Sequence, residues 1–544
     1  MPWHCRFTRK NVYIYTVEQI MYTTMKLKLT LGALLFAASS IFCGRLSAQD
    51  YAQAIPSDAF GVVRLDAARI FELSGADPSA LLKGYVEKQI AMTEPLFSVA
   101  AVLADIADDP ENSGIDVASP VYLFFLPQDK GVGIAAKVAD RNKLEALSAD
   151  AAKRTEGEIG KAKGVTYVSD PKGRLMFDNR AAVMTWSDSD QKADAKKACA
   201  EFAARGKESI VATEGFRRMS QTAGEVALLI SGAAIGENNI SESTIYKDAP
   251  IGDLAFVFSL NSGAGIASAE WRMLASSDEA EKYIERNAAT RGPVDGRYAD
   301  RIPESAAFVS YGAIHGELMV AMLESALGES FGGDNPYRDM MIRALSSLDG
   351  DFALYADKPS VTGQKVDFGG ALMAAVKNRA IMELLGELVE KNNAPLTEVE
   401  GGYALRGAVG DKPSIIERDG TLVVSNDGMN GVQSAEKPMK ADVAGCYGYL
   451  FVDMKSFTSP EMAVLLGLLD SNGSITALLK RIDTIESIAP TPYGAHGEIR
   501  FVDPDDNIYK IVADTAAAVS ERCDSSEDAA DDAAVELVEE ADAE

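Results

Sequence analysis

Short apolar runs alternate with longer, helically spaced ones along this chain. Phe60–Leu65 reads as a strand, and a helical region follows from about Ala67 to Ile106, interrupted at Gly75 and Pro95. Pro120–Leu126 and Gly131–Val138 read as a hairpin across Pro127-Gln128-Asp129-Lys130. Val121 to Leu126 is apolar throughout, as in a strand covered on both faces. Asp140 is placed to cap the helix that carries Leu144 and Leu147. Val165–Val168 is a further strand, and the order so far is βαββαβ, the ferredoxin-like pattern. Arg174–Phe177 and Ala181–Trp186 extend it around an Asp178-Asn179-Arg180 turn. Helices are expected over about Asp190–Arg205 and Glu214–Gln221, then strands over Val226–Ile230, Leu254–Leu260 and Ile266–Leu274, and a helix from Asp278 to about Asn287. Intermixed strands and helices with many hairpins give an α+β class with mainly antiparallel sheet and packed helices.

The pattern occurs twice. Ile55-Pro56-Ser57-Asp58-Ala59 before one strand matches Ile302-Pro303-Glu304-Ser305-Ala306 before another. Val138-Ala139-Asp140-Arg141 with Leu144-Glu145-Ala146-Leu147 matches Val376-Lys377-Asn378-Arg379 with Met382-Glu383-Leu384-Leu385. Met176-Phe177-Asp178 with Ala182-Val183-Met184-Thr185 matches Ile415-Ile416-Glu417 with Thr421-Leu422-Val423-Val424, and Trp271-Arg272-Met273-Leu274 matches Ile499-Arg500-Phe501-Val502. No single match is telling, but their shared order predicts two tandem, weakly similar halves, each with a ferredoxin-like start. The turn-forming stretch Thr290–Gly296 separates them.

One apolar run belongs to neither half. From Met25 the chain reads MKLKLTLGALLFAASSIFCGRLSAQD. Lys26 and Lys28 form a positive n-region, Leu29–Phe42 an apolar core, and Ser47-Ala48 a small-residue cleavage site with Gln49 following. The run is shorter than the roughly 20 residues a membrane span needs. Residues 1–24 fit no targeting pattern and read as a spurious upstream extension. The expected organisation is thus an extension (1–24), a signal peptide (25–48), a first α+β repeat (49–298), a second (299–523) and an acidic, disordered tail (524–544). Export to the periplasm or the outer-membrane-associated envelope follows. Lipidation at Cys43 is the competing reading, disfavoured because bulky Phe42 stands where a small residue is wanted.

Charge narrows the partners. The chain carries 53 Lys and Arg against 81 Asp and Glu, a net charge of −28. So acidic a body argues against nucleic acid and anionic membrane surfaces. Without the leader, Cys199, Cys446 and Cys523 remain, too few and too scattered for a disulfide framework.

Familiar chemistries are mostly missing. Gly131-Val132-Gly133-Ile134-Ala135-Ala136 resembles a dinucleotide fingerprint but begins a hairpin strand instead of a helix. No P-loop, H-E-x-x-H or G-x-S-x-G stands in the chain. Beyond the leader only His315 and His496 occur, each near a glutamate, Glu317 and Glu498; they form a metal site only if they meet in space. The oxygen-rich Asp108–Asp116 loop lacks EF-hand spacing and reads as a solvated loop. Trp186 and Trp271 lie in expected strands and are assigned to the core, with sugar stacking as the alternative. No catalytic or cofactor-binding residue is assigned, and no cofactor is expected.

Ile55-Pro56-Ser57-Asp58-Ala59, a strand, Ser74-Gly75, and Asp109–Asp116 leading into Pro120–Phe125 together resemble a domain-of-unknown-function family of exported bacterial proteins, often described as lipoproteins. The resemblance implies export and a duplicated α+β body; it brings no catalytic residues. The expected function is a non-catalytic binding or scaffold protein of the envelope, holding an envelope protein or ligand. Peripheral membrane attachment would require lipidated Cys43. The alternatives are a carboxylate-dependent hydrolase of glycans or peptides, and a carrier of an apolar ligand.

Overall fold

The computed structural model describes residues 49–515, apart from 76–97, 128–130, 188–189, 206–208, 233–249, 328–337, 363–364, 368, 393, 406–412, 427–432, 460–461 and 463–473. Cys43, Ala48, Cys523 and the acidic tail lie outside the described residues. Two compact units meet in sequence at Leu229 and Ile230.

The first unit is a sheet with helices on it. Its strands are β1 (Gly61–Leu65), β2 (Val121–Phe125), β3 (Val132–Lys137), β4 (Glu158–Ala162), β5 (Val165–Ser169), β6 (Gly173–Phe177), β7 (Ala181–Trp186) and β8 (Val226–Ser231). They lie in the order β8-β1-β2-β3-β7-β6-β5-β4, antiparallel from β1 to β4. The helices are α1 (Gln49–Ala52), α2 (Ala67–Ser74), α3 (Ser98–Asp108), α4 (Arg141–Thr155), α5 (Ala195–Ala203) and α6 (Glu214–Gln221). Asp140 caps α4 as expected, accepting from the Asn142 and Lys143 amides. The Asp178 carboxylate closes the β6–β7 turn on the Arg180 and Ala181 amides.

On one face of this sheet Val99, Val102 and Ile106 of α3 and Leu144 of α4 bury Leu175, Phe177 and Met184. Each such side chain contributes about 1.5–3 kcal/mol. Beneath the other face Tyr51 packs on Tyr122, and Tyr122 on Phe216, both with ring centroids 5.6 Å apart. Arg64 gives its guanidinium to the Ser220, Thr222 and Gly224 carbonyls, at 3.0–3.3 Å, and so satisfies the end of α6.

The chain order βαββαβ is present, but the ferredoxin-like arrangement is not. That fold needs β1 and β2 to run parallel with a strand between them. Here they are adjacent and antiparallel, with Val63 opposite Leu123. Both α2 and α3 lie between the two strands, so the chain can turn back twice and re-enter beside its starting point. The exposed, polar β4 was also missing from the expectation, because Glu158-Ile159-Gly160-Lys161-Ala162 has only one large apolar residue.

The second unit holds β9 (Leu254–Gly263), β10 (Ile266–Ala275), β11 (Phe308–His315), β12 (Leu348–Ala356), β15 (Gly370–Val376), β16 (Leu396–Val399), β17 (Gly402–Leu405), β18 (Ser414–Arg418), β19 (Thr421–Ser425), β20 (Gly448–Asp453), β21 (Ile482–Thr491) and β22 (Gly494–Phe501). A separate small hairpin pairs β13 (Ser360–Thr362) with β14 (Lys365–Asp367). The large sheet runs β9-β10-β22-β21-β20-β11-β12-β15-β19-β18-β17-β16, antiparallel throughout. From β20 to β16 this order repeats the first unit's order from β8 to β4, with the elements met in the same sequence along the chain. Helices α8 (Gly316–Leu327) and α9 (Arg338–Ser347) again separate the first two strands, and α10 (Ala380–Asn392) follows the third. The unit is completed by α7 (Asp278–Ala289), α11 (Met454–Phe457), α12 (Ser474–Leu479) and a helix α13 at 508–515.

Its main core packs Tyr298, Ile302, Val443 and Cys446 against Tyr311, Tyr355, Met373 and Val423. Asp351, only 3% exposed, ties down the chain entering that core. Its carboxylate accepts from the Asp295 and Arg297 amides and from the Tyr311 hydroxyl, each at 2.8 Å. The Tyr311 hydroxyl in turn accepts from the Tyr298 amide at 2.8 Å. Burial first, and Asp351 beside it, push the Tyr311 hydroxyl above its usual range. No described helix is long and apolar enough to cross a membrane.

Candidate functional site

Near one edge of the second unit's sheet, β10 and β22 pair around Ala269 and Gly497. Alternation divides their side chains between two faces. One face carries Glu270 opposite His496 and Ser268 opposite Glu498, with Arg272 and Arg500 farther out. His496 Nδ1 is 3.9 Å from Glu270, and its Nε2 is 3.7 Å from Glu498. Arg272 pairs with Glu270 at 3.6 Å and Arg500 with Glu498 at 2.8 Å. The two glutamates are therefore already balanced by cations two residues along their own strands. The other face carries Trp271, which is 42% exposed and not in the core as expected. Its partner positions, Phe258 and Ala495, leave the indole flanked but not covered. Trp186 is half-buried and does pack against the first unit's core.

The other residues singled out by sequence do not converge. His315 Nδ1 faces Asp349 at 2.8 Å, so the two histidines share no partner. Glu317 pairs with Lys377. In the Asp108–Asp116 loop, Asp109 caps a short 3-10 turn and Asp116 binds Lys137 at 2.7 Å and the Ser119 hydroxyl at 3.1 Å. No group of three or more His, Cys, Asp or Glu among the described residues is arranged to hold a metal. Gly133 is required by packing, since a Cβ there would meet the Phe124 ring at 2.2 Å. Cys199 and Cys446 are buried free thiols. Gln49 opens α1, two residues before buried Tyr51.

Carboxylate electrostatics follow local pairing. Burial raises Asp116, Asp178 and Asp453, but accepted hydrogen bonds outweigh it and hold all three below the usual range. Arg481, then Lys510, hold Asp506 low. Burial first, with Asp150 and Asp108 adding to it, raises Asp105 even though it pairs with Arg154.

An apolar strip distinguishes the two units, and sequence reading missed it. In the first unit Val63, Leu123, Ile134, Met184 and Leu175 stand in one cross-strand row over β1-β2-β3-β7-β6. Leu123, Ile134, Met184 and Leu175 are 0–4% exposed beneath α2 and α3. The same row of the second unit is Ser310, Leu354, Leu372, Val424 and Ile415. There Leu354 and Val424 are each 38% exposed, and Leu372 and Ile415 are half-buried. In chain order α9 stands where α3 stands in the first unit, while Ile415 packs with Met382 and Leu385 of α10. Arg338 binds Glu324 of α8 at 2.7 Å, and Arg343 binds Glu387 of α10 at 3.1 Å. The ion pairs tie α9 to its neighbouring helices, and only Ser347 of α9 is buried.

No curated protein matches the chain. Solved structures of a protein designated TP0453 are similar at low level. Its crystal form III is 14% identical, with 45% of this chain and 90% of that one covered and a TM-score of 0.27. Form I is 12% identical over 44% and 86%, with a TM-score of 0.26. A family model matches residues 51–401, and the chain belongs to the family described as a domain of unknown function, DUF4836.

Proposed function

We propose that this is an exported envelope protein built from two tandem repeats, acting by binding or scaffolding without catalysis. The observation that carries the non-catalytic reading is the fate of the carboxylates. Acid–base hydrolysis of glycans or peptides wants two converging carboxyls whose proton affinities are driven apart. The described carboxylates with displaced affinities are each tied to a local cation or turn instead. The duplication is supported by the shared strand order and by matching backbone bonds. The Phe60 amide donates to Phe125 and the Ala307 amide to Ala356; the Val138 amide donates to Arg180 and the Val376 amide to Gly420. Two similar sheets in one chain offer broad side-chain surfaces suited to holding a partner.

The test is cross-linking of the protein in intact envelopes, followed by capture and identification, run beside assays of the purified chain on peptidoglycan and on unfolded protein. A defined partner without turnover is the expected result. Sustained hydrolysis of either substrate overturns the reading in favour of the hydrolase.

A further inference from the structure

We infer that β22 is a self-complementary pairing edge whose fitting partner is β22 of a second copy, and that β10 occupies this edge as a built-in substitute. The inference rests on the repeat reading above and adds a surface and a partner to it. The second unit holds β9, β10 and α7, which close the first repeat, beside the whole of the second repeat. One constant offset relates β9-β10-α7 to β21-β22-α13. It carries Leu254, which opens β9, to Ile482, which opens β21, and Ile266, which opens β10, to Gly494, which opens β22. The cores on the two hairpins obey the same offset. Leu254 and Met273 pack with Ala280 of α7, and Ile482 and Phe501 pack with Ile508 of α13.

Equivalent strands that pair antiparallel are related by a two-fold axis, which falls where a residue faces its own counterpart. The offset carries Ala269 to Gly497, and these two lie directly opposite, at the middle of the ladder that runs from Ile266–Arg500 to Arg272–Gly494. The other pairs are reciprocal. Trp271 faces Ala495 where Ala267 faces Ile499, and Arg272 faces Gly494 where Ile266 faces Arg500. The flanking backbone bonds are reciprocal too. The Met273 amide donates to the Tyr493 carbonyl at 2.7 Å, and the Phe501 amide to the Gly265 carbonyl at 3.0 Å. Replacing each residue by its counterpart turns one bond into the other. Such reciprocity is the mark of an isologous interface between two copies.

Charge favours the same partner. Glu270 faces His496 in the native ladder. With two β22 strands centred on Gly497, Glu498 of each copy faces His496 of the other, so the contact is kept twice. Arg500 of each copy faces Gly494 of the other. No like charges stand opposite one another, and an uncovered strand edge readily takes an antiparallel strand.

The test displaces β10 in the mature chain, with Cys523→Ser throughout. Alternation along the ladder makes Ala269 and Trp271 bonded positions like Met273, so their amides point at β22. Ala269→Pro removes that donor and frees the edge. Ala269→Pro/Gly497→Cys should then give a disulfide-linked dimer under mild oxidation, read by non-reducing electrophoresis. A Cβ at position 497 meets nothing nearer than 3.5 Å, and opposed bonded residues lie about 5.5 Å apart, within disulfide reach. Ala495→Cys in place of Gly497→Cys sets the thiols about 13 Å apart along the strands and should cross-link at least about tenfold less. Gly497→Cys with Ala269 intact should stay monomeric. Trp271→Pro gives the same readout where Ala269→Pro fails to fold. A folded proline variant that stays monomeric, or that cross-links equally from position 495, overturns the inference. The reciprocal Gly497→Pro/Ala269→Cys reads β10. A link at 497 without one at 269 would sink the repeat reading and keep the self-pairing of β22. Hydrolysis of glycan or protein by the parent chain would sink the non-catalytic reading alone.

Discussion

Tyr51 and Tyr298 occupy matching places at the entrances of two sheets. Both rings are buried, and each is followed by alanine, two variable residues, Ile-Pro, and a second alanine after two more. Tyr51 leans on Tyr122 with centroids 5.6 Å apart, and Tyr298 on Tyr311 at 6.4 Å. Pro56 bridges to Ser209, and Pro303 to Pro438. The Ile210 amide donates to Ile55 at 3.1 Å, and the Met439 amide to Ile302 at 2.8 Å. Substituting either tyrosine by alanine should cost about 3–5 kcal/mol through the cavity left behind. Urea unfolding of the mature chain checks both. A loss under about 1 kcal/mol at either site would remove that tyrosine from the core.

The buried position of Tyr51 bears on the proposed cleavage after Ala48. Protein recovered from the envelope should start at Gln49, two residues before the buried ring, with Gln49 cyclised or free. Mass spectrometry of the intact N-terminus decides the matter. A diacylated Cys43 there would establish the lipoprotein alternative and discard the cleavage after Ala48.

Asp351 should be the most costly carboxylate to remove. Asp351→Ala leaves two part-buried backbone amides and the buried Tyr311 hydroxyl without their acceptor. The loss should reach about 3–5 kcal/mol. Tyr311→Phe keeps the carboxylate and two of its donors and should cost about 1–2 kcal/mol. Thermal melting of the two variants should rank them in that order.

Acid sensitivity should be traceable to Asp506. Arg481 donates to both carboxylate oxygens, at 2.9 and 2.7 Å, and Lys510 sits 3.0 Å away. The folded affinity of Asp506 for its proton is thus below that of the unfolded chain. The stabilisation is present above the ordinary carboxylate range and is lost as pH falls through the lowered folded value. Arg481→Ala should destabilise the protein at neutral pH by about 2–3 kcal/mol and flatten the acid limb of the stability profile. An unchanged acid limb would assign the sensitivity elsewhere.

Gly133 offers a test of sheet packing. A methyl group at this position meets the Phe124 ring at 2.2 Å, so Gly133→Ala should cost about 1–3 kcal/mol by overpacking. Wild-type stability in the variant would show that the ring can move aside.

Strand and helix positions were readable where apolar periodicity was strong, as at the helix expected over about Glu214–Gln221, which the structure places at Glu214–Gln221. Register was harder. The sequence matched Ala182 with Thr421, whereas the β-ladders set Ala182 opposite Phe177 and Leu422 opposite Glu417, one residue further on. A one-residue slip exchanges the two faces of a strand. That slip hides the correspondence of Met184 with Val424. The Tyr51–Tyr298 match was visible in the letters as Tyr-Ala-x-x-Ile-Pro-x-x-Ala, but the weight of those tyrosines comes from packing.

Sequence alone determined the α+β class, the antiparallel hairpins and the sites of most helices, because these depend on local spacing of apolar and capping residues. It also set out a leader and two similar halves as expectations. Only the tertiary structure decided that β1 pairs directly with β2, that Trp271 is 42% exposed, and that Leu354 and Val424 keep 38% of their surface open where the matching Leu123 and Met184 are buried. Those outcomes depend on which distant surfaces meet in space, and the spacing of residues along the chain does not record that.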